Sequence, residues 1–100
     1  MIVRVSEAHV RVGMAEDFLA ALTDLVSSFP DTHAGLLSHD VLVDRADPHR
    51  VQYVSRWADE ASLVAYAGEE WATTPVTFPD EEKYLTGPLA LAHFEVLAGI

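Results

Sequence analysis

Within its 100 residues the chain carries five histidines, three tyrosines, two tryptophans and no cysteine, and these types bound the chemistry open to it. Histidine is the side chain whose ordinary pKa lies near neutrality, so His33, His39 and His93 are the candidates for taking a proton from a phenol or an activated carbon. His9 stands two residues from Glu7, and His49 sits in the turn Asp47-Pro48-His49-Arg50. Both positions suit structural or solvated roles. Tyr53, Ser55 and Trp57 alternate, so they share one face of a strand. There an indole can stack on a flat ring and the Tyr53 hydroxyl can hold a ligand oxygen. Tyr66 and Trp71 follow at positions that can approach the same pocket from above. Large aromatics are equally the ordinary filling of a core, and each of these four fits that role as well.

Several chemistries are excluded or disfavoured. Without cysteine there are no disulfides, thiolate metal sites or thiol nucleophiles. His39 and Asp40 are neighbours on a strand and point to opposite faces, and no helical spacing unites His33 with His39. Two histidines and a carboxylate are therefore not brought together locally, and neither a metal nor another cofactor is expected. The five glycines are scattered, with no phosphate loop or dinucleotide fingerprint, and no serine lies in a nucleophile elbow. Sixteen acidic residues against six lysines and arginines leave a formal net charge of −10. Nucleic acids and anionic membranes would be repelled, whereas a neutral or phenolic small molecule remains compatible.

The elements that must position these residues follow from hydrophobic periodicity. Ile2 to Val12 alternates, with Val3, Val5, Glu7 and His9 on one face and Arg4, Ser6, Ala8 and Val10 on the other. β-Branched residues on both faces predict a strand covered on both sides. Gly13 breaks it. Ala15 to Phe29 places Phe18, Leu22, Leu25, Val26 and Phe29 at helical spacing, with acids in the first turn, and Pro30 is expected to end this helix. Leu36 to Asp44 and Val51 to Trp57 read as an antiparallel hairpin. Asp59 is the expected N-cap of a second helix carrying Leu63, Tyr66 and Ala67 on one side. A long loop then contains Pro75, Pro79, Gly87, Pro88 and the acidic run Asp80 to Glu82, with room for one helical turn. Leu89 to Leu97 is the last strand. One domain over residues 1–100 is expected, of class α+β, with a ferredoxin-like split β-α-β-β-α-β order. Its four-stranded antiparallel sheet has helices on one face, and the two-sided apolar strands predict a homodimer covering the other. No signal layout or membrane span is evident, so a cytoplasmic protein is the expectation.

Motifs in this order make the sequence similar to the antibiotic biosynthesis monooxygenase family over nearly its whole length. They are Gly13 five residues before Phe18, Ala34-Gly35 before the second strand, the Asp47-Pro48-His49-Arg50 turn, and the ending Phe94-Glu95-Val96-Leu97. The junction Arg56-Trp57-Ala58-Asp59-Glu60-Ala61-Ser62-Leu63 is the strongest of them. The resemblance implies a dimeric α/β barrel with a mostly apolar pocket in each subunit. It also implies activities such as cofactor-free oxygenation of anthrone-type polyphenols, quinol oxygenation, degradation of a signalling furanone or degradation of haem. The anthrone oxygenases place an Asn four residues before the junction Trp and a Tyr six after it. Here those positions hold Tyr53 and Leu63, and Trp57 alone matches. The haem-degrading members have an Asn, a Trp and a His where this chain has Ser6, Tyr66 and Val76, which disfavours haem degradation.

The reading that results is a cofactor-free monooxygenase acting on a phenolic, anthrone or hydroquinone-like small molecule. Tyr53, Trp57, Tyr66 and Trp71 would bind the substrate, and His33, His39 or His93 would act as base. The alternatives are a non-catalytic small-molecule-binding or structural dimer of the same fold, and an isomerase or lyase.

Overall fold

The computed structural model describes residues 1–99. The chain runs β1 (Ile2–His9), α1 (Ala15–Ser27), α2 (Phe29–Thr32), β2 (Leu36–Val43), β3 (Arg50–Trp57), α3 (Glu60–Ala67), a 3₁₀ turn (Glu81–Tyr84) and β4 (Ala90–Glu95). The four strands pair antiparallel in the order β2-β3-β1-β4. This is the expected ferredoxin-like α+β arrangement, in which β1 and β3 occupy the centre. The last strand spans six residues and not the nine expected, because only Ala90–Glu95 find partners on β1. No helix among the described residues is long and apolar enough to cross a membrane.

Gly13 adopts a φ of +83°, a left-handed conformation open to glycine at little cost, and so turns the chain from β1 into α1. Helix α1 buries Phe18, Leu22 and Val26 against the sheet, the i, i+4, i+8 row of its apolar face. Each such side chain contributes roughly 1.5–3 kcal/mol on burial, so this row anchors the helix. Pro30 was expected to terminate α1. The helix instead stops at Ser27, and Pro30 lies in the first turn of α2. A proline there gives up an N–H that has no intrahelical partner anyway, so it starts a helical turn as readily as it ends one.

Helix α3 begins where expected. The Asp59 carboxylate accepts the backbone N–H of Ser62 at 2.9 Å and the Ser62 hydroxyl at 2.7 Å. These bonds hold its pKa below the usual carboxylate value. Gly35 packs against this same turn: a Cβ at Gly35 would collide with the Ser62 hydroxyl and Cβ. The Gly35 carbonyl also accepts the N–H of Ala58 at 2.9 Å. Two of the motifs singled out in the sequence thus lock together where β2 starts and α3 begins.

Register assigns side chains to faces. Arg4 lies opposite Ser55, Ser6 opposite Tyr53, and Ala8 opposite Val51. These residues face the helices, where Ala8, Val51 and Tyr53 join Phe18, Leu22, Val26 and Phe29 in the core. On the other face Val5 lies opposite Val54 and Ala92, and Val3 lies opposite Phe94. Phe94 is 57% exposed. The same face holds Glu7, which accepts from Gln52 at 2.7 Å and pairs with Arg50 at 2.8 Å. A bulge between Leu36 and Ser38 shifts the phase of β2, so that His39 and Val41 stand beside Ser55 and Tyr53.

Candidate functional site

Between the helix-facing side of the sheet and the helices lies a cleft. Its apolar wall comes from α1 and α2 through Phe18, Leu22 and Phe29, and its other sides from β1, β3, α3 and the loop that follows. The empty space totals about 440 Å³, part of it open to solvent, and the portion a water molecule's centre can occupy is only about 20 Å³. That holds an ordered water, whereas a flat ring enters only as the side chains part.

Four titratable side chains line this cleft: Arg4, Tyr53, Tyr66 and Glu81. Arg4 is 3% exposed, a cation in the middle of a strand. Its Nη1 donates to the Trp71 carbonyl at 2.6 Å and lies 3.0 Å from His93 Nε2, and its Nη2 donates to the Thr74 carbonyl at 2.9 Å. No carboxylate among the described residues forms an ion pair with it. Burial pulls its pKa down, but a guanidinium stays charged. Three of its five N–H donors are engaged in these contacts, and the other two have no side-chain or backbone acceptor among the described residues.

Tyr53 reaches across to β2, where its hydroxyl lies 2.8 Å from His39 Nδ1. Burial first, and then Tyr66, push its ionisation above the usual tyrosine range. The Tyr66 ring lies beneath the Arg4 guanidinium at 5.8 Å, a cation–π contact. Burial raises its pKa to about 12, with Arg4 opposing and Glu81 adding to the rise. Glu81 is 3% exposed, and its Oε2 is buried without a hydrogen-bond partner. Desolvation, reinforced by Glu82, lifts its carboxyl to about 7.

The sequence-derived site residues divide into two groups. Tyr53 and Tyr66 line the cleft; Trp57, Trp71, His33, His39 and His93 do not. Trp57 is 1% exposed, donates its indole N–H to Ser55 Oγ at 2.9 Å and stacks on Tyr66 at 4.6 Å between ring centres. His33 packs edge-on against Phe29, Tyr66 and Trp57. Trp71 meets the His93 ring edge-on at 4.8 Å while its carbonyl holds Arg4. His93 has its pKa lowered by burial and then by Arg4. Sequence reasoning missed Arg4 and Glu81. A charge alternating onto an otherwise uncharged strand face was the available signal for Arg4; Glu81 sat inside a run of acids that resembles a solvated loop. Among the described residues no three His, Cys, Asp or Glu side chains come together as ligands to a metal would.

The fold and this cleft define a small ferredoxin-like α+β protein with an apolar, cation-bearing pocket beneath its helices. The sequence profile of the antibiotic biosynthesis monooxygenase family matches residues 1–73, and the chain belongs to that family. Solved structures agree on the fold. A crystal structure of an antibiotic biosynthesis monooxygenase superposes with a TM-score of 0.75 at 16% identity, covering 98% of this chain and 100% of that one. PA3566 from Pseudomonas aeruginosa gives 0.74 at 22% identity, with 97% and 94% covered. Rv0793 from Mycobacterium tuberculosis gives 0.74 at 17%, with 98% and 96% covered. No curated protein matches the sequence at a significant level.

Proposed function

We propose that this chain, as a single domain over residues 1–100, is a cofactor-free monooxygenase for a phenolic, anthrone or hydroquinone-like small molecule. The observation that carries the reading is Arg4: a buried cation without a carboxylate partner, facing an apolar cleft with two donors to spare. A buried charge of this kind is costly unless something balances it. The anion of a phenol or anthrone does so, and once the side chains part its flat ring can lie between Tyr53, Tyr66 and the apolar wall.

The chemistry requires the substrate to lose a proton. Its electron pair then remains on the ring system, where Arg4 stabilises it in a site with little water. The anion transfers one electron to O₂, the two radicals combine to a peroxide anion, and that anion takes up a proton from solvent to become the hydroperoxide. For an anthrone, loss of water from that peroxide converts the CH₂ group to a carbonyl, so that one oxygen atom enters the product and the other leaves as water. The protein's part is to orient the ring, stabilise the anion and exclude bulk solvent. Trp57 acts from behind by fixing Tyr66, and His93 and Trp71 by fixing Arg4. We further propose a homodimer joined through the outer sheet face, a reading supported by the apolar strip of Val5, Val54, Ala92 and Phe94.

The test is oxygen consumption by chelator-treated protein supplied with anthrone or a hydroquinone. Protein-dependent uptake above the spontaneous rate is expected, with a product carrying one new oxygen. Product formed without O₂ would favour the isomerase or lyase reading. Binding with no turnover would favour a non-catalytic small-molecule-binding dimer.

A further inference from the structure

We propose that Glu81 is the group that takes the substrate's proton, and that it passes the proton outward through a second hollow on the far side of the 3₁₀ turn. The inference rests on the proposed reaction to the extent that both begin with proton removal in the cleft.

Elimination among the cleft's own side chains leads to Glu81. Arg4 cannot act as a base, and Tyr53 and Tyr66 remain protonated at neutral pH because both are desolvated. His33, His39 and His93 do not line the cleft. Glu81 does, and its Oε2 is a buried acceptor with no donor from the protein. Buried acceptors are nearly always paired, so an orphaned one on a residue at the cleft wall marks a place where a donor is missing.

A second observation is independent of the first. Glu81 and Leu89 line the cleft and also an outer hollow of about 910 Å³ of empty space, bordered by Arg11, Thr77, Glu82 and Thr86. Glu81 therefore belongs to a partition with the cleft on one side and the outer hollow on the other. In the step proposed, a C–H or O–H bond of the substrate breaks, the proton bonds to Glu81 Oε2, and the electron pair stays on the substrate beside Arg4. The proton then leaves to water in the outer hollow, returning Glu81 to its starting state. The charged or titratable groups that line these spaces with Glu81 are Arg4, Tyr53 and Tyr66 on the cleft side and Arg11 and Glu82 on the other, and Asp80, Lys83 and Tyr84 share its turn. Glu82 disfavours the ionised carboxylate, which makes it a stronger base.

The experiment is deuterium exchange into the methylene group of anthrone, followed by NMR in D₂O under anaerobic conditions, so that oxygen chemistry plays no part. The wild-type protein should accelerate exchange over buffer, with a rate that rises with pH and levels off near neutrality. Glu81→Gln should cut the protein-dependent rate at least ten-fold while anthrone still quenches tryptophan fluorescence. Glu81→Asp, which keeps a carboxylate, should recover part of it. Wild-type exchange no faster than buffer, a flat pH profile between 5 and 8, or a Gln variant as fast as wild type would each overturn the proposal. Glu81-dependent exchange without oxygen uptake would retain the proton acceptor and sink the monooxygenase. Uptake with Glu81-independent exchange would do the reverse.

Discussion

The Nη1 atom of Arg4 lies 3.0 Å from Nε2 of His93. A guanidinium has only donors, so Nε2 must be the acceptor and the ring proton must reside on Nδ1. His93 is therefore neutral in the native protein, and burial together with Arg4 lowers its pKa from 6.5. A group whose folded pKa is depressed contributes stability that is present above the unfolded pKa and lost as pH falls through the folded one. Acidification below about 6.5 should loosen the Arg4 site. ¹⁵N NMR titration of the His93 ring should give a midpoint below the ordinary histidine value, and a midpoint at or above 6.5 would contradict the assignment.

Glu81 has the opposite sign. Its carboxyl is raised from 4.5 to about 7, so the folded state holds the proton more tightly than the unfolded chain does. Its contribution to stability is then greatest below 4.5 and declines as pH rises to about 7. The loss should be no more than about 3 kcal/mol. Urea unfolding of wild type and Glu81→Gln between pH 4 and 8 should show that slope in the first and its absence in the second. Parallel curves would mean that Glu81 titrates normally.

Trp57 and Tyr66 should separate on substitution. Trp57→Phe strands the fully buried Ser55 hydroxyl and leaves a void beneath Tyr66, which should cost about 2–4 kcal/mol. Ligand affinity at a temperature where the variant stays folded should fall by less than for a change at Tyr66 itself, because Trp57 reaches the cleft only through that ring. Tyr66→Leu removes a lining ring and the face beneath Arg4. Its binding of anthrone, followed by fluorescence, should weaken by about ten-fold, the scale of one aromatic contact.

Gly35→Ala should destabilise the protein by about 1–3 kcal/mol, since the added methyl meets the first turn of α3. Ser62→Ala should not rescue it, because the Ser62 Cβ is itself in the way. Ser62→Gly removes both obstructing atoms, and the double variant should recover much of the Gly35→Ala loss in a double-mutant cycle. Additive losses would show that the two residues do not press on each other.

The proposed homodimer is tested at Phe94. Phe94→Asp places a charge in the apolar strip beside Val3 and adds to a net charge already at −10. Sedimentation velocity should show a dimer for wild type and a monomer for the variant, with no loss of secondary structure. An unchanged sedimentation coefficient would move the interface elsewhere.

Strands and helices were legible because alternation and helical spacing are local. Val51, Tyr53, Ser55 and Trp57 could be assigned to one face by counting, and Asp59 could be named as a cap from its type and position. The site was less legible because its contacts are distant in sequence. Arg4 reaches Trp71, Thr74 and His93, and nothing local marks those partners. Trp57 and Tyr66 both look like pocket aromatics in sequence. Only packing shows that one stacks behind the other. Pro30 was misjudged because a proline signals either edge of a helix, and the αR conformation of Ser28 before it decides which.

The bulge at the start of β2 makes an entire strand face exchangeable. Leu36 and His39 both face the helices although an odd number of positions separates them, and the one additional residue near Leu37 accounts for this. Were Leu37 to pair with Arg56 and the bulge to close, Asp40 and Leu42 would come under the helices and His39, Val41 and Val43 would go to the outside with no change in the sequence, whereas deleting Leu37 would keep every later pair in place. The loop from Asp44 to His49 is free to absorb the slip. For an edge strand in this arrangement, whether one residue is counted into the ladder or left out of it works as a reversal of lining, a larger step in site chemistry than any point substitution along the same strand.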